Sequence, residues 1–300
     1  MIVAIRRYLR SAMFRRVYRD FLVIFNWHQV TPTFDERVHH PYTWTNLKQF
    51  CGQLDYLQTK FNIVSLPAAI KALAEDGLRG PSVAITFDDG DISMETYVAP
   101  ILRARGLPAT FFINTAYIDS DKSYWFPVLN YLKGERSLHG TFRSKLIDEG
   151  RSLRHISDPH TYQRVRTEIE SFAAVMPGSS PRFVSGEWLG GIDATLFTIG
   201  AHGHEHQRYS MMPLDWQRDD LQRNVTILSK YPSYRPLFAV PFGRKVDWTD
   251  DTLALAKGEG LTTLLADGGI NFPGQTNLAR IPADSAHVQA LFSDTTAVQS

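Results

Sequence analysis

The chain has 300 residues, 43% of them hydrophobic and 12% aromatic, which is enough apolar content for a real interior and excludes wholesale disorder. With 32 basic against 31 acidic residues the formal net charge is +1, so no global field points toward nucleic acid. The single Cys51 excludes an intramolecular disulfide and a cysteine-rich metal site.

Residues 1–20 carry Arg6, Arg7, Arg10, Arg15, Arg16 and Arg19 interleaved with Ile5, Leu9, Met13, Phe14 and Val17, the pattern of a basic amphipathic helix. These arginines interrupt every candidate apolar core of a secretory signal. The longest nearby apolar run, Phe21 to Phe25, is too short to cross a bilayer. The chain is therefore expected to be cytoplasmic, or at the inner membrane surface. Two readings of the helix stand: peripheral contact with an anionic membrane, or packing on the domain by its apolar stripe.

From residue 21 onward short apolar runs alternate with helical periodicity. Leu22 to Phe25 reads as a strand, Leu47, Phe50, Leu54 and Leu57 recur at helical spacing, and Ile63-Val64 begins another strand. Pro67 to Ala74 is a short helix, Val83 to Phe87 a strand, Glu95 to Ala104 a helix ended by Gly106 and Pro108, and Ala109 to Ile113 a strand. From about 117 to 190 the rhythm is lost, apart from one amphipathic helix with Val165, Ile169, Phe172 and Val175 on one face, and the segment is expected to be an insertion. Alternation returns with strands at Leu196 to Ala201, Leu237 to Val240 and Thr262 to Ala266, and helices at Leu214 to Leu228 and Thr249 to Lys257. Strands and helices in this order, joined by short connections, predict parallel strands covered by helices, closed or nearly closed into a barrel with active residues at the strand C-terminal ends. Nothing in the composition separates domains within 21–300, which is expected to form a single domain.

The chemistry-bearing segment is Thr86-Phe87-Asp88-Asp89-Gly90, where a buried strand stops on two adjacent carboxylates and a glycine. Two neighbouring aspartates repel unless something cationic joins them. A divalent ion does so, with one carboxylate as ligand and the other left as general base. Turn punctuation is the bland alternative. Downstream, Ile199-Gly200-Ala201 runs into His202-Gly203-His204-Glu205-His206, and His202 and His206 have metal-ligand spacing. In an extended backbone His204 could replace either neighbour. Asp89 with His202 and His206 makes a three-ligand set with room for water, the pattern of a catalytic site, for which zinc is the first choice and cobalt, nickel or manganese also fit.

Together with Phe238-Ala239-Val240-Pro241-Phe242-Gly243, these segments resemble the three ordered signatures of the polysaccharide deacetylase family, the NodB-homology or carbohydrate esterase 4 group. Asn26-Trp27-His28-Gln29-Val30 is similar to the opening Tyr-His-x-Val of one branch, and Ala279-Arg280-Ile281 to its closing Leu-x-Arg-Ile, so the resemblance covers about residues 21 to 282. It implies a distorted (β/α)7 barrel, with the insertion around 117–190, and hydrolysis of an N-acetyl group from an amino sugar in a glycan, oligosaccharide or glycolipid precursor. It also implies Asp88 as base and Asp89, His202 and His206 as metal ligands. Ala239 departs from members with an arginine there and leaves the orientation of Asp88 unexplained. The usual Leu-x-x-His source of the general acid is not evident; His287 lies in a polar tail, and His28 fits the place that the acid takes in members resembling a circular permutation.

Amide cleavage needs a protonated leaving amine, the role expected of charged His28, while the N–H of Phe242 in the Pro241-Phe242-Gly243 segment is expected to help hold the oxyanion. Trp125 is a candidate for stacking on a sugar ring or for packing the insertion, and Tyr42, Trp44 and Trp248 are further aromatic candidates. Arg280 either anchors an active-site aspartate or pairs on the surface. Rival functions are the same site acting on an O-acetyl ester, an N-formyl group or a cyclic imide, and a non-catalytic glycan-binding protein.

Overall fold

The computed structural model describes residues 20–36, 38–75, 77–120, 122, 125–134, 158–172, 183–265, 268–275 and 277–284. The basic segment before Asp20, His287 and Val175 lie outside the described residues.

Parallel strands form the centre: β1 (Leu22–Trp27), β4 (Asn62–Ile63), β5 (Ser82–Phe87), β6 (Ala109–Ile113), β7 (Phe197–Ala201), β8 (Tyr234–Ala239), β9 (Thr262–Leu265), β10 (Asn277–Ala279) and β11 (Ile281–Pro282). Their order is β10-β9-β8-β7-β6-β5-β1-β11, with β4 paired to β5. Because β10 and β11 are consecutive in sequence and lie at the two ends of this order, the segment 277–282 closes the barrel, and Arg280 sits at the step between them. If β10 and β11 count as one broken strand, the closed path has seven strands, the distorted (β/α)7 barrel. A separate pair, β2 (Gln29–Thr31) with β3 (Trp44–Asn46), was not evident from periodicity, since neither strand exceeds three residues.

The helices are α1 (Leu47–Lys60), α2 (Leu66–Ala74), α3 (Ala99–Ala104), α4 (Trp125–Gly134), α5 (Pro159–Glu170), α6 (Gly186–Gly191), α7 (Leu214–Leu228) and α8 (Asp250–Gly258). Several begin where local chemistry directs. Asn46 caps α1 by accepting from the Lys48 N–H, Ser65 caps α2, and Thr249 with Thr252 forms a capping box at α8. The helix expected from Glu95 starts instead as a wide π-turn over Met94–Val98 before α3. The insertion ends sooner than expected. Val184 donates to the Gly90 carbonyl, and Leu189 of α6 is buried in the barrel core, so the chain has rejoined the barrel by residue 184.

β1, β5, β6 and β7 are buried throughout, as strands covered on both faces must be. Alternate residues divide between two layers. Val23, Phe25 and Trp27 pack outward on Phe50, Leu54 and Leu57 of α1, whereas Leu22 and Ile24 join Ala84, Phe112, Leu237, Ala239 and Leu264 from strands around the barrel, with α2 beneath. The inward parity of β1 and β5 continues through Asn26 to His28 and through Thr86 to Asp88. A third cluster holds the insertion: Val128, Leu129 and Leu132 of α4 against Tyr162, Val165 and Ile169 of α5. Among the described residues no helix is long and apolar enough to cross a membrane.

Candidate active site

Strand register decides which residues meet. β1 and β5 run in step with Trp27 beside Phe87, so His28 and Asp88 emerge together at the strand ends. On the other side of β1, Asn26 pairs with Pro282 and the Ala283 N–H donates to the Asn26 carbonyl, which brings Asp284 alongside His28. A cavity of about 170 Å³ opens there, lined by His28, Asp88, Asp89, His202, His206 and Asp284 among others.

Asp88 is buried and clamped. Arg280 Nη1 donates to Oδ1 at 2.6 Å and Nη2 to Oδ2 at 2.7 Å, while Asn26 Nδ2 donates to Oδ2 at 3.4 Å. Burial alone would push this carboxyl up, but the Arg280 charge outweighs it and holds Asp88 below the usual carboxylate range. Arg280 is itself 1% exposed, so the surface-pairing alternative is excluded and the orientation of Asp88 is explained without an arginine at position 239.

His28 donates from Nδ1 to Asp284 Oδ2 at 2.7 Å, and its Nε2 stands 4.0 Å from Asp88 Oδ2. Burial disfavours the imidazolium, yet the Asp284 charge and hydrogen bond, with Asp89 and Asp88 nearby, push the ring up to about 9. At neutral pH His28 is therefore charged.

Asp89, His202 and His206 place one ligand atom each within 4.8 Å of one another. His202 Nδ1–H donates to the Ala239 carbonyl at 2.7 Å, which leaves Nε2 as the nitrogen turned toward Asp89. Nε2 of His202 lies 3.2 Å from Asp89 Oδ1, and His206 Nε2 lies 3.2 Å from the same oxygen. Two imidazole nitrogens and a carboxylate oxygen converging at this spacing make a donor set that fits a divalent ion. Burial holds His206 toward its neutral, ligating form. Position 239 contributes through its main chain, for which alanine suffices. His204 does not join the cluster; its Nδ1 lies 2.8 Å from Thr115 Oγ1, and the His204 N–H donates to Asp220 Oδ2.

Asp89, His206 and Phe242 have φ of +79°, +51° and +60°, in the left-handed region that non-glycine residues rarely occupy. All three line the cavity, and strain of this kind gathers at functional sites. Gly203, with φ +75°, sits where a Cβ would come 2.8 Å from Asp220 Oδ2. Asp220 in turn accepts from the Glu205 N–H and the Tyr209 hydroxyl, fixing the loop that carries both histidines.

The aromatic expectations divide. Trp125 is 2% exposed and packs in the core of the insertion, tilted on Phe242 and edge-on to Phe126, so it does not line the cavity; its neighbour Phe126 does. The reason is helical phase, since Trp125 opens α4 on the face that meets α5. Phe242 lines the cavity with its ring edge-on to His206 at 4.6 Å, and Pro241 lies behind it against Gly203. Tyr42 lines the rim, 72% exposed. Trp44 meets Phe34 edge-on and His39 at a tilt, and Trp248 is buried under Lys245, both away from the cavity. Sequence reasoning missed Asp284, Asn26, Phe126 and Arg244. Of these Asp284 left a trace, two residues beyond the Ala279-Arg280-Ile281-Pro282 run.

A profile of the family described as polysaccharide deacetylase matches residues 75–172, which include the two aspartates. The resemblance to the polysaccharide deacetylase family stands. Similar solved structures agree in fold. IcaB from Ammonifex degensii aligns at TM-score 0.63 and 20% identity, covering 91% of this chain and 97% of that one. A de-N-acetylase from Aggregatibacter actinomycetemcomitans aligns at TM-score 0.60 and 16% identity, covering 91% and 100%. The BpsB deacetylase domain from Bordetella bronchiseptica aligns at TM-score 0.55 and 15% identity, covering 87% and 95%. At such identities these likenesses speak for the barrel fold alone. A search of curated proteins finds no match.

Proposed function

We propose that this protein is a metal-dependent hydrolase that removes N-acetyl groups from an amino-sugar-containing glycan, oligosaccharide or glycolipid. One observation carries the reading: an ionised carboxylate, Asp88, and a charged imidazole, His28, flank the Asp89, His202 and His206 cluster in a single cavity. The deacetylase activity named for similar structures supports it.

Asp89, His202 and His206 would hold the ion, and two imidazoles with one carboxylate suit zinc, with cobalt, nickel or manganese as substitutes. Such an ion supplies Lewis acidity toward the acetyl carbonyl and toward the attacking water. Asp88, fixed by Arg280, takes the proton from that water. His28, fixed by Asp284, gives its proton to the departing amine. The N–H of Phe242 assists at the developing oxyanion. Tyr42, Phe126 and Phe242 supply the aromatic walls that sugar rings favour. A charged His28 matters more for an amide than for an ester, since an alkoxide departs more readily than an unprotonated amine, and this favours N-acetyl over O-acetyl substrates.

Acetate release from N-acetylated oligosaccharides, measured before and after chelation and after zinc is restored, tests the reading. Loss on chelation and recovery with metal are expected; acetate release indifferent to chelator would refute it. Peripheral contact of the basic residues 1–20 with the cytoplasmic membrane face belongs to the same proposal, and is checked by sedimentation with anionic vesicles, where failure to cosediment overturns it.

A further inference from the structure

Charge is not evenly matched around the cavity that holds Asp88 and Asp89. Asp88 is answered by Arg280 and Asp284 by His28, while Asp89 is left for the ion, so each of these carboxylates has one cationic partner. After Phe242 the balance changes.

Arg244 lines the same cavity and holds Asp247 by one edge of its guanidinium, Nε donating to Oδ2 at 3.0 Å and Nη2 to Oδ1 at 3.3 Å. Its main-chain N–H donates to Oδ2 as well. Asp247 is 1% exposed and also lies 3.3 Å from Nε of the buried Arg208, so one carboxylate serves two guanidinium groups and a positive charge is left over. Lys245 takes no part, since its Nζ lies over the Trp248 ring and 3.8 Å from Asp250. The edge that Arg244 leaves open is specific. With Nε and one Nη2–H turned to the buried Asp247, the parallel N–H groups of the Nη1–Nη2 end point away from it, and Nη1 makes no hydrogen bond among the described residues. The side chain is 45% exposed and belongs to the cavity wall, so it is open to a ligand.

A guanidinium fork of this kind fits two oxygens of one carboxylate or phosphate. A sugar that carries only hydroxyls and an acetamido group leaves the surplus charge unanswered. The geometry points to an anion subsite beside the metal cluster, in which Arg244 binds an oxyanion, carboxylate or phosphate, carried by the same substrate as the acetamido group. The inference rests on the proposed function for the sugar and narrows its substrate to an acidic N-acetylated saccharide, charged on the unit that is cut or on its neighbour. Asp247 holds Arg244 in place before the ligand arrives, which lowers the ordering cost of binding.

The test uses the zinc-loaded full chain with Asp88→Asn, so that the probes survive, and measures affinity by isothermal titration calorimetry. N-acetylglucosamine 1-phosphate and 6-phosphate form the phosphate arm, a hyaluronan tetrasaccharide the carboxylate arm, and diacetylchitobiose the neutral reference. At least one acidic probe is expected to bind about tenfold tighter than the reference, the worth of hydrogen bonds to a charged group, and the arm that does so identifies the anion. Phosphate also ligates zinc, so the variants decide. Arg244→Gln is expected to bring the ratio of acidic to neutral affinity close to one, and Arg244→Lys, which keeps a charge beside Asp247 without the fork, to leave it intermediate. Absence of any acidic preference, or an unaltered ratio in either variant, overturns the proposal. If wild-type protein releases no acetate while the Arg244-dependent preference persists, the catalytic reading falls and the anion subsite stands. If acetate is released and no such preference exists, the reverse holds.

Discussion

Arg280 and Asp88 form a buried bidentate ion pair although 192 residues separate them in sequence. Arg280 occupies the step between β10 and β11, the place where the barrel closes, so closure of the fold and orientation of the Asp88 carboxylate are one event. Removing one partner of such a pair strands the other without compensation. Arg280→Met is expected to cost about 3 to 5 kcal/mol of stability and to abolish most turnover. Urea midpoints and acetate release check this; a variant of wild-type stability would show that the pair does not hold the barrel shut.

Under the proposed chemistry the neighbours Asp88 and Asp89 have separate tasks. Asp88→Asn keeps the three-ligand cluster and is expected to retain stoichiometric metal while losing roughly 10² to 10⁴ in rate. His202→Ala is expected to lose the metal itself, because the Asp89 and His206 atoms that remain make an incomplete set. Elemental analysis of the two purified variants separates these outcomes, and equal metal content in both would dissolve the distinction.

His28 fixes the pH dependence. Its pKa is raised from 6.5 to about 9, so the stability that its charge contributes is complete below about 6.5 and is lost as pH rises through about 9. The same protonated form is needed for the leaving amine, so kcat/KM is expected to fall on an alkaline limb near 9. Asp284→Asn removes the main support of that charge and should move the limb downward. An unmoved limb would assign the titration to another group.

Gly203 is expected to tolerate no side chain. Alanine there meets Asp220 Oδ2 at 2.8 Å and must hold φ +75°, a conformation that costs an L-residue about 1 to 2 kcal/mol. Gly203→Ala should displace the loop between His202 and His206 and weaken metal affinity, read by competition with a chelator. Unaltered affinity would mean that the loop adapts without disturbing the histidines.

Much of this was legible in the sequence because parallel strands buried on both faces leave near-continuous apolar runs, as at Val83 to Phe87 and Ala109 to Ile113. The candidate metal cluster was legible for the same reason: Asp89 and the two histidines follow closely on such strands. Asp284 was not, because its partnership with His28 is made by pairing of β11 with β1, a contact between chain ends that no local pattern carries. β10 and β11 are three and two residues long, too short for periodicity to register. Trp125 and Phe126 are adjacent aromatics, and only the phase of α4 against α5 decides which one faces the cavity.

The most direct measurement is mass spectrometry of N-acetylated glycans, free and lipid-linked, after incubation with zinc-loaded wild-type protein and with Asp88→Asn. Loss of an acetyl unit with a free amine exposed on the sugar, in the wild-type reaction alone, is the predicted result. Acetyl loss from oxygen only, or equal loss with Asp88→Asn, would contradict the account.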